Sequence, residues 1–443
     1  MKPKSSSPEP QRDLFKTELK HIIDKNHPLA KLAEKIDWTR FDEAFEPCYS
    51  PDFGRPAIPT RLMVSLHYLK YTYDLSDEEV TLRWIENPYW QYFSGRTFFE
   101  HKLPLEVSTM CRWRKKVGEA GAEELLAGTI QTGIETGAIK KSDLKRVNVD
   151  TTVETKAIRY PTDPRLYDRM RERLVAYADE HGIELRQSYR FVGKRALHRH
   201  SGYARAQQFR RAKKETRKLK TYLRRVLRDV LRKVPFLDEE LTRLAGFAHR
   251  LLLQKRDDKN KLYSIHAPEV ECISKGKVHK RFEFGCKVGV VTTARKNWIL
   301  GAKAYHGNPY DGHTLRESIE QAEQIADVRF AQATCDMGYR GHNYEGECEI
   351  GIVQRMKRAK NRWKRYWWNR RSAIEPIIGH LKAEHRLERN ILKSELGDKL
   401  NAIFSACGYN LKKLIRAFLR RYFGWFEERF LFGIRSLSPI LSS

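Results

Sequence analysis

The chain has 443 residues, enough for two or three domains, and its 40% hydrophobic content is sufficient to bury a core. Its 85 Lys and Arg against 56 Asp and Glu leave a formal charge of +29, which favours a polyanionic partner, nucleic acid first. No run of 18 apolar residues is present, and seven Cys without a C-x-x-C pair argue against a disulfide framework or a zinc ribbon. Because no signal peptide opens the chain, we expect a cytoplasmic protein without a membrane span.

The first third of the chain is predicted to be helical. Residues 1–12 are polar and rich in Pro and Ser, which predicts a disordered leader. Residues 13–140 are predicted to form an all-α domain for DNA binding or dimerisation. Within it, PTRLMVSLHYLKYTY carries leucines at helical spacing, and Ser76 with Glu79 forms a predicted capping box.

A basic helix closes this domain. The segment STMCRWRKKVG is predicted to begin on Ser108 as N-cap and to end at Gly118, and it resembles the recognition helix of a helix-turn-helix unit. The alternative is a basic surface helix in an ordinary bundle. The predicted DNA contacts on this helix are Arg112, Arg114 and Lys115.

A strand and a basic helical insert follow. The segment RVNVDTT alternates valines with polar residues and predicts a strand that ends in Asp150. Residues 165–258 are predicted to be a helical insert, and residues 190–233 hold 17 Lys or Arg against two acids. Apolar residues at helical spacing lie beneath this charge, so we expect a packed helix whose cationic face contacts DNA phosphates. The predicted contacts are Lys213, Lys214, Arg217 and Lys218.

The remaining order of elements predicts an α/β domain made of residues 141–164 and 259–395. After the insert come two strands, a helix, a strand that ends in Asp336, a short strand at 349–354 and a basic helix. The rest of the chain, residues 396–443, is predicted to be a helical tail. Asp311 is predicted to cap the helix that precedes Asp336.

Three carboxylates suit a metal site. Asp150 and Asp336 each end a predicted strand, and Glu375 lies in the following basic helix. Carboxylates at adjacent strand ends supply the hard oxygen ligands that Mg²⁺ or Mn²⁺ prefers. Two such ions can hold both the attacking and the leaving oxygen of a phosphoryl transfer. The arrangement therefore predicts metal-dependent phosphoryl-transfer chemistry.

These residues resemble a known pattern. Asp150 in VNVDTT, Asp336 in CDMGYRG and Glu375 in RRSAIEPIIGHLK are similar to the acidic triad of DDE transposases of bacterial insertion sequences. That group carries a signature of Tyr, then Arg three positions later, Glu four later and Lys seven later. In this chain the Arg, Glu and Lys of the signature are matched by Arg371, Glu375 and Lys382. Trp368 stands at the position where Tyr is expected. The resemblance covers roughly residues 13–415.

The resemblance implies an RNase H-like catalytic domain of the retroviral-integrase type, with the basic insert after its first strand. It implies two Mg²⁺ ions, with Mn²⁺ as a substitute, held by Asp150, Asp336 and Glu375, while Arg371 and Lys382 position phosphates. The expected partner is double-stranded DNA, both element ends and target, bound in the bacterial cytoplasm and nucleoid. Because two ends must be joined in concert, we expect a homodimer on DNA. The alternatives are a structure-specific nuclease on the same fold and a non-catalytic helix-turn-helix protein.

The geometry around Glu375 has two interpretations. On one continuous helix, Trp368, Arg371, Glu375 and Lys382 would share a face. Pro376 disfavours helical geometry at Glu375, so the alternative is a kink or a helix start at Glu375, with Trp368 and Arg371 in a preceding turn.

Further residues are candidate DNA contacts. Arg340, near Asp336, is predicted to bind a phosphate, with a plain surface role as the alternative. Trp368, with Trp363 and Trp367, is a candidate for stacking on an unpaired base, and the alternative for at least one of the three is core packing.

Overall fold

The computed structural model describes residues 16–50, 56–255, 257–274, 281–353 and 362–437, except for the side chains of 363, 364 and 420–437. The predicted leader lies outside the described residues. The chain divides into two compact units. Unit 1 comprises Met1–Glu154 and Lys287–Ser443, and unit 2 comprises Thr155–Cys286.

The first part of unit 1 is helical where it is described. Its helices are α1 (Leu19–Ile22), α2 (Pro28–Lys35), α3 (Thr39–Phe45), α4 (Thr60–Thr72), α5 (Asp77–Glu86), α6 (Pro88–Phe93) and α7 (Val107–Glu135). The predicted capping box is confirmed at the start of α5. The Ser76 hydroxyl accepts from the Glu79 amide at 3.0 Å, and the Glu79 carboxylate accepts from the Ser76 amide at 2.8 Å. Two amides of the first turn are thereby satisfied.

Helix α7 differs from its prediction at one end and agrees at the other. It begins at Val107 after Glu106, and the Ser108 hydroxyl donates to the Glu106 carboxylate, so the prediction of Ser108 as N-cap is wrong. Gly118 interrupts the helix with a φ of +64°, a left-handed conformation that glycine adopts without steric cost. The predicted end at Gly118 is therefore a kink, and the helix continues to Glu135.

A buried ion cluster joins α7 to α4 and α5. Both terminal nitrogens of Arg114 donate to the Asp77 carboxylate, at 2.8 and 2.6 Å, and the Lys70 ammonium donates to it at 2.7 Å. The side chains of Arg114 and Lys70 are 4% and 1% exposed. Arg114 is therefore not available for the predicted DNA contact, because its guanidinium is buried and paired with Asp77. Arg112 and Lys115 on the same helix are exposed.

One mixed sheet carries the strands. They are β1 (Arg146–Thr155), β2 (Glu271–Ser274), β3 (Phe282–Thr293), β4 (Ile299–Tyr305), β5 (Gln332–Cys335) and β6 (Glu349–Ile352). The order is β2-β3-β1-β5-β6, with β4 also paired to β3. Strands β5 and β6 run parallel to β1, whereas β4 is antiparallel to β3. Along the chain the strands follow the predicted order, except that the four-residue β2 was not predicted.

Asp150 lies inside β1 and not at its end, contrary to the prediction. The strand continues through residues 151–155, TTVET, whose β-branched side chains suit extended backbone. Pairing with β5, however, is recorded only for Arg146 to Asn148. Asp150 therefore lies two residues beyond the last residue of β1 that pairs with β5.

The described helices of unit 2 pack around a core of their own. They are α8 (Asp163–Glu180), α9 (Arg190–Arg205), α10 (Phe209–Lys233) and α11 (Glu239–Leu253). The apolar stripe predicted along α10 is buried, as Leu219, Leu223, Val226 and Val230 show, and it packs with residues of α8 and α11. At the base of the unit the amide of Lys156 donates to the carbonyl of Phe284 at 2.8 Å.

Four helices complete unit 1. They are α12 (Asp311–Ala326), α13 (Arg362–Arg371), α14 (Ile374–Glu384) and α15 (Ser394–Leu437). Helix α15 packs against α4, α7 and β4. Its Asn410 side chain bonds both the amide and the carbonyl of Ile299, at 3.1 and 2.8 Å. The segment predicted as a tail thus starts as an interior helix, buried as far as Phe418.

Candidate active site

The pairing of β1 with β5 places two of the predicted acids side by side. The parallel register aligns Asn148 with Thr334. Asp150 lies two residues after Asn148, and Asp336 lies two residues after Thr334. Both carboxylates therefore leave the sheet at the same level. Residues two apart on a strand share a face, so Asp150 lies on the same side of β1 as Asn148. The side-chain amide of Asn148 donates to the Arg370 carbonyl at 3.1 Å.

The third acid enters from a break between two helices. Helix α13 ends at Arg371 and α14 begins at Ile374, after Ala373 as N-cap. Pro376 is the third residue of α14, within the first turn, where a missing amide costs no intrahelical bond. The interpretation that Glu375 stands at a helix start is confirmed, and the single continuous helix is wrong. Trp368 and Arg371 lie in α13, however, and not in a preceding turn as that interpretation expected.

Helix α13 is held against the turn between β3 and β4 by its penultimate residue, Arg370. The Arg370 guanidinium donates to the carbonyls of Ala294 and Arg295, at 3.1 and 2.8 Å, in the turn between β3 and β4. Together with the bond from Asn148 to the Arg370 carbonyl, these contacts fix the position of the next residue, Arg371.

The guanidinium of Arg371 meets all three acids. Its Nη2 atom lies 2.7 Å from Asp150 Oδ2 and 3.5 Å from Asp336 Oδ2, and its Nη1 atom lies 3.4 Å from Glu375 Oε1. The residues come from β1, from the end of β5 and from α14. The structure therefore brings the sequence-predicted acids together around one cation.

Exposure of the three acids is graded. The side chain of Asp150 is 13% exposed, that of Asp336 is 39% exposed and that of Glu375 is 66% exposed. Asp150 thus forms the floor of the site, and Glu375 stands at its rim. A ligand from solvent reaches Glu375 and Asp336 first.

A fourth carboxylate lies beside this group. Asp311 Oδ1 accepts from the Thr151 hydroxyl at 2.9 Å and from the Lys287 ammonium at 2.8 Å. The prediction that Asp311 caps α12 is wrong, because Tyr310 holds the N-cap position and Asp311 is the first helical residue. Sequence reasoning therefore missed Lys287 and the placement of Asp311 next to β1.

The turn after β5 brings Asp311 and Asp336 close to one glycine. A Cβ atom on Gly338 would lie 3.0 Å from Asp336 Oδ1 and 3.4 Å from Asp311 Oδ2. The Gly338 amide donates to Asp336 Oδ1 at 2.9 Å and so orients that carboxylate. Any side chain at this position would crowd both acids.

Two buried groups beside the acids stay protonated. Burial, then the neighbouring Cys335, Asp150 and Asp311, raises the pKa of the fully buried Tyr339 phenol. Burial, followed by the charge of Asp336, likewise raises the pKa of the Cys335 thiol. Neither residue is therefore a ready base or nucleophile.

Three other predicted DNA contacts of unit 1 are exposed or partly exposed. Lys382 is seven residues after Glu375 on α14 and is partly exposed, as is Trp368 on α13. Arg340 is exposed, and its carbonyl accepts from the Tyr310 hydroxyl at 2.7 Å.

The predicted cationic face of α10 is exposed. Lys213, Lys214 and Arg217 form no ion pair with any described residue. Lys218 is only partly exposed, and it donates to the buried Glu215 carboxylate at 2.7 Å. Three of the four predicted lysine and arginine side chains are therefore available to an anion.

The donor set suits a hard divalent cation. Asp150, Asp336 and Glu375 offer carboxylate oxygens that already converge on a positive charge, the guanidinium of Arg371, and Asp311 adds another carboxylate nearby. Oxygen-only donors are those that Mg²⁺ and Mn²⁺ prefer. The residues present thus fit the ions that the acidic triad implies.

Comparison with known proteins gives the class. Residues 17–116 match the family model described as "Transposase domain (DUF772)". Over 199 residues, 45% of this chain, the sequence is 54% identical to "Uncharacterized protein ORF8 in nfe locus" of Rhizobium meliloti, and the alignment covers 96% of that relative. No solved structure matches the chain significantly.

The protein is therefore transposase-like, with DNA as the substrate that a transposase domain implies. The chain belongs to the family that includes the Rhizobium meliloti protein. None of the described helices is both long enough and apolar enough to cross a membrane.

Proposed function

We propose that the protein is a DDE-type DNA transposase that cuts DNA at the ends of a bacterial insertion sequence and joins those ends to target DNA. The observation that carries the proposal is the convergence of Asp150, Asp336 and Glu375 on the guanidinium of Arg371. The strand order around β1, with β5 and β6 parallel to it, supports an RNase H-like catalytic domain.

Asp150, Asp336 and Glu375 would hold Mg²⁺, or Mn²⁺ in its place. When bound, such ions activate the attacking oxygen and stabilise the leaving oxygen of a phosphoryl transfer. Asp150 supplies the buried end of the donor set, and Glu375 supplies the exposed end. Gly338 fixes the orientation of Asp336 through its amide.

The chemistry consists of two exchanges of P–O bonds. Water attacks a phosphodiester at the element end, one P–O bond forms and another breaks, and a 3′-hydroxyl is released. That hydroxyl then attacks a phosphodiester of the target in the same way. No covalent bond between protein and DNA is required in either step.

Positively charged residues around the acids position the DNA. Arg371, at the end of α13, presents a planar fork of donors that matches two phosphate oxygens, and Lys382, on α14, adds a point charge. In the free protein Arg371 is paired with the acids. Its role in DNA binding therefore requires an exchange of carboxylate for phosphate partners.

The proposal is tested by a strand-transfer assay on duplexes that carry the element ends. The sequences of these ends are taken from the DNA that flanks the coding region. We expect Asp336→Asn to abolish Mg²⁺-dependent cleavage and joining while DNA binding persists, because affinity comes chiefly from basic residues. The matched control is Asp327→Asn, a change of the same chemistry at an exposed position. Substantial joining by Asp336→Asn would overturn the proposal.

A homodimer on DNA is part of the proposal. One set of acids serves one DNA end at a time, and two ends must be joined together. The charge of +29 makes free subunits repel each other, so bound DNA should strengthen their pairing. Light scattering of the protein with an element end tests this, and a complex of one subunit that still joins two ends in concert would contradict it.

A further inference from the structure

Unit 2 contains a cationic cavity of about 450 Å³ that is separate from the predicted contacts on α10. It lies between the segment that leads into α8 and the outer side of α9. Its lining residues are Arg159, Arg165, Lys194, Leu197, His198 and Ser201. No acidic residue is among these lining side chains.

The basic residues of the cavity have few partners. Arg159, Lys194 and His198 form no ion pair with any described residue of the chain, and Arg165 donates only to the backbone carbonyl of Tyr160, at 3.2 Å. These four side chains are exposed, so solvent screens part of their mutual repulsion. An anion bound between them would reduce that repulsion further.

The packing of α9 fixes which face lines the cavity. Gly193 and Ala196 are buried, and a Cβ atom on Gly193 would lie 2.8 Å from Asp168 Oδ1, so the glycine allows α9 to approach α8 closely. Lys194 and His198 are four residues apart and therefore stand together on the helix. The close contact through Gly193 thus presents both to the cavity.

We propose that this cavity binds phosphate groups of the DNA backbone. The inference rests on the proposed function, which supplies DNA as the ligand. Its volume falls within the range of about 300–1,000 Å³ for ligand sites and exceeds the need of a single phosphate, so it admits a sugar-phosphate unit. Two guanidinium groups suit phosphate oxygens, and Leu197 provides an apolar wall for a sugar. Contacts of these side chains to phosphate oxygens would carry no information about base sequence.

The test measures how binding of a short fluorescent duplex of arbitrary sequence depends on salt, by anisotropy in EDTA. The cavity variant is Arg159→Gln with Lys194→Gln. The matched control, Arg243→Gln with Lys259→Gln, removes the same charges from exposed positions of unit 2 outside the cavity. We expect the slope of log K against log salt to fall in the cavity variant by up to about 0.9 for each lost phosphate contact, and to change less in the control. Equal slopes in the two variants would overturn the inference.

A second measurement distinguishes DNA phosphates from free phosphate. Isothermal titration with inorganic pyrophosphate is made on the wild type and on the cavity variant. The assignment to DNA would be overturned if the wild type bound pyrophosphate saturably, the cavity variant did not, and the salt slope of duplex binding were the same in both. Weak or absent pyrophosphate binding together with the slope difference supports it.

The inference and the proposed function fail separately. Because these measurements exclude divalent metal, they are independent of cleavage and joining. A wild type that binds the duplex with the expected slope difference but joins no DNA ends in Mg²⁺ would remove the proposed function and leave the cavity assignment in place. A wild type that does not bind the duplex would overturn both.

Discussion

The Nη2 atom of Arg371 lies 2.7 Å from Asp150 Oδ2, and the two side chains are only 14% and 13% exposed. The residues are 221 positions apart in the sequence, yet this ion pair forms the floor of the candidate active site. Since Asp336 and Glu375 also contact the same guanidinium, the chain supplies its own cation to the acids. Under the proposed function, a divalent ion would compete with Arg371 for the same oxygens.

Replacing Arg371 by Ala is expected to strengthen Mn²⁺ binding, because the competing cation is removed. The variant should also melt at a lower temperature in EDTA, since Asp150 is left without its partner, and should regain stability when Mn²⁺ is added. The loss should remain below the roughly 3–5 kcal/mol of a fully buried pair, because Glu375 and Asp336 are partly solvated. Electron paramagnetic resonance of Mn²⁺ and thermal denaturation measure the two effects.

Arg340→Ala is the control for this change, as it removes one exposed arginine from the turn after β5. It should alter neither the Mn²⁺ affinity nor the melting temperature in EDTA. Equal Mn²⁺ affinities for the wild type and Arg371→Ala would contradict the competition.

Replacing Lys213, Lys214, Arg217 and Lys218 together by Gln is expected to reduce the salt dependence of duplex binding. Each lost phosphate contact contributes up to about 0.9 to the slope of log K against log salt. Lys218 should contribute least, because it is already paired with the buried Glu215. Single changes at Arg217 and Lys218 test that ranking by anisotropy, and an unaltered slope in the fourfold variant would mean that this face is only solvated.

Replacing Asp77 by Ala is expected to destabilise the domain matched by the transposase family model. Lys70 and Arg114 would then be buried without an acid, and breaking a buried ion pair typically costs about 3–5 kcal/mol. Denaturation in urea measures the free energy of unfolding. Glu78→Ala, an exposed acid in the same first turn of α5, is the control, and similar losses for the two variants would refute the assignment.

Unit 1 should lose stability as the pH falls below about 6.5, the ordinary pKa of histidine. Burial lowers the pKa of His385 to about 4, and burial followed by the charge of Arg114 lowers the pKa of His67 to about 3. Between these values and 6.5 the unfolded chain binds protons that the folded protein does not, so the free energy of unfolding rises with pH in this window. Urea denaturation at pH 7 and pH 5 measures the difference, which His385→Gln should reduce. Equal pH dependence in the wild type and the variant would contradict the role of His385.

The positions of the three acids relative to strands and helices could be predicted in part, because the signals for those elements are local. Asp150 and Asp336 follow apolar segments typical of strands, and Pro376 indicates a helix start near Glu375. The ion pairs of Arg371 could not be predicted, since they depend on how β1, β5 and α13 come together. For the same reason the position of Asp311 beside Thr151 was missed: a residue before a helix is a capping candidate in any sequence.

Basic residues show the limit of a charge pattern. Arg112 and Arg114 are two positions apart and equally plausible DNA contacts, but only Arg114 faces Asp77, 37 residues earlier in the chain. Burial, and not residue type, separates them. The C-terminal segment is similar, because its apolar periodicity predicts a helix but does not show that α15 packs against α4 and β4.

The hydrogen bond from the Lys156 amide to the Phe284 carbonyl closes unit 2 at its base. The chain therefore leaves β1 and returns to β3 through neighbouring points, and everything between them is a closed loop with an interior of its own. Because the entropy of closing a loop grows only slowly with its length, we expect the length of this segment to change at little cost in stability. Such changes should leave the spacing of Asp150 and Asp336 across β1 and β5 unaltered.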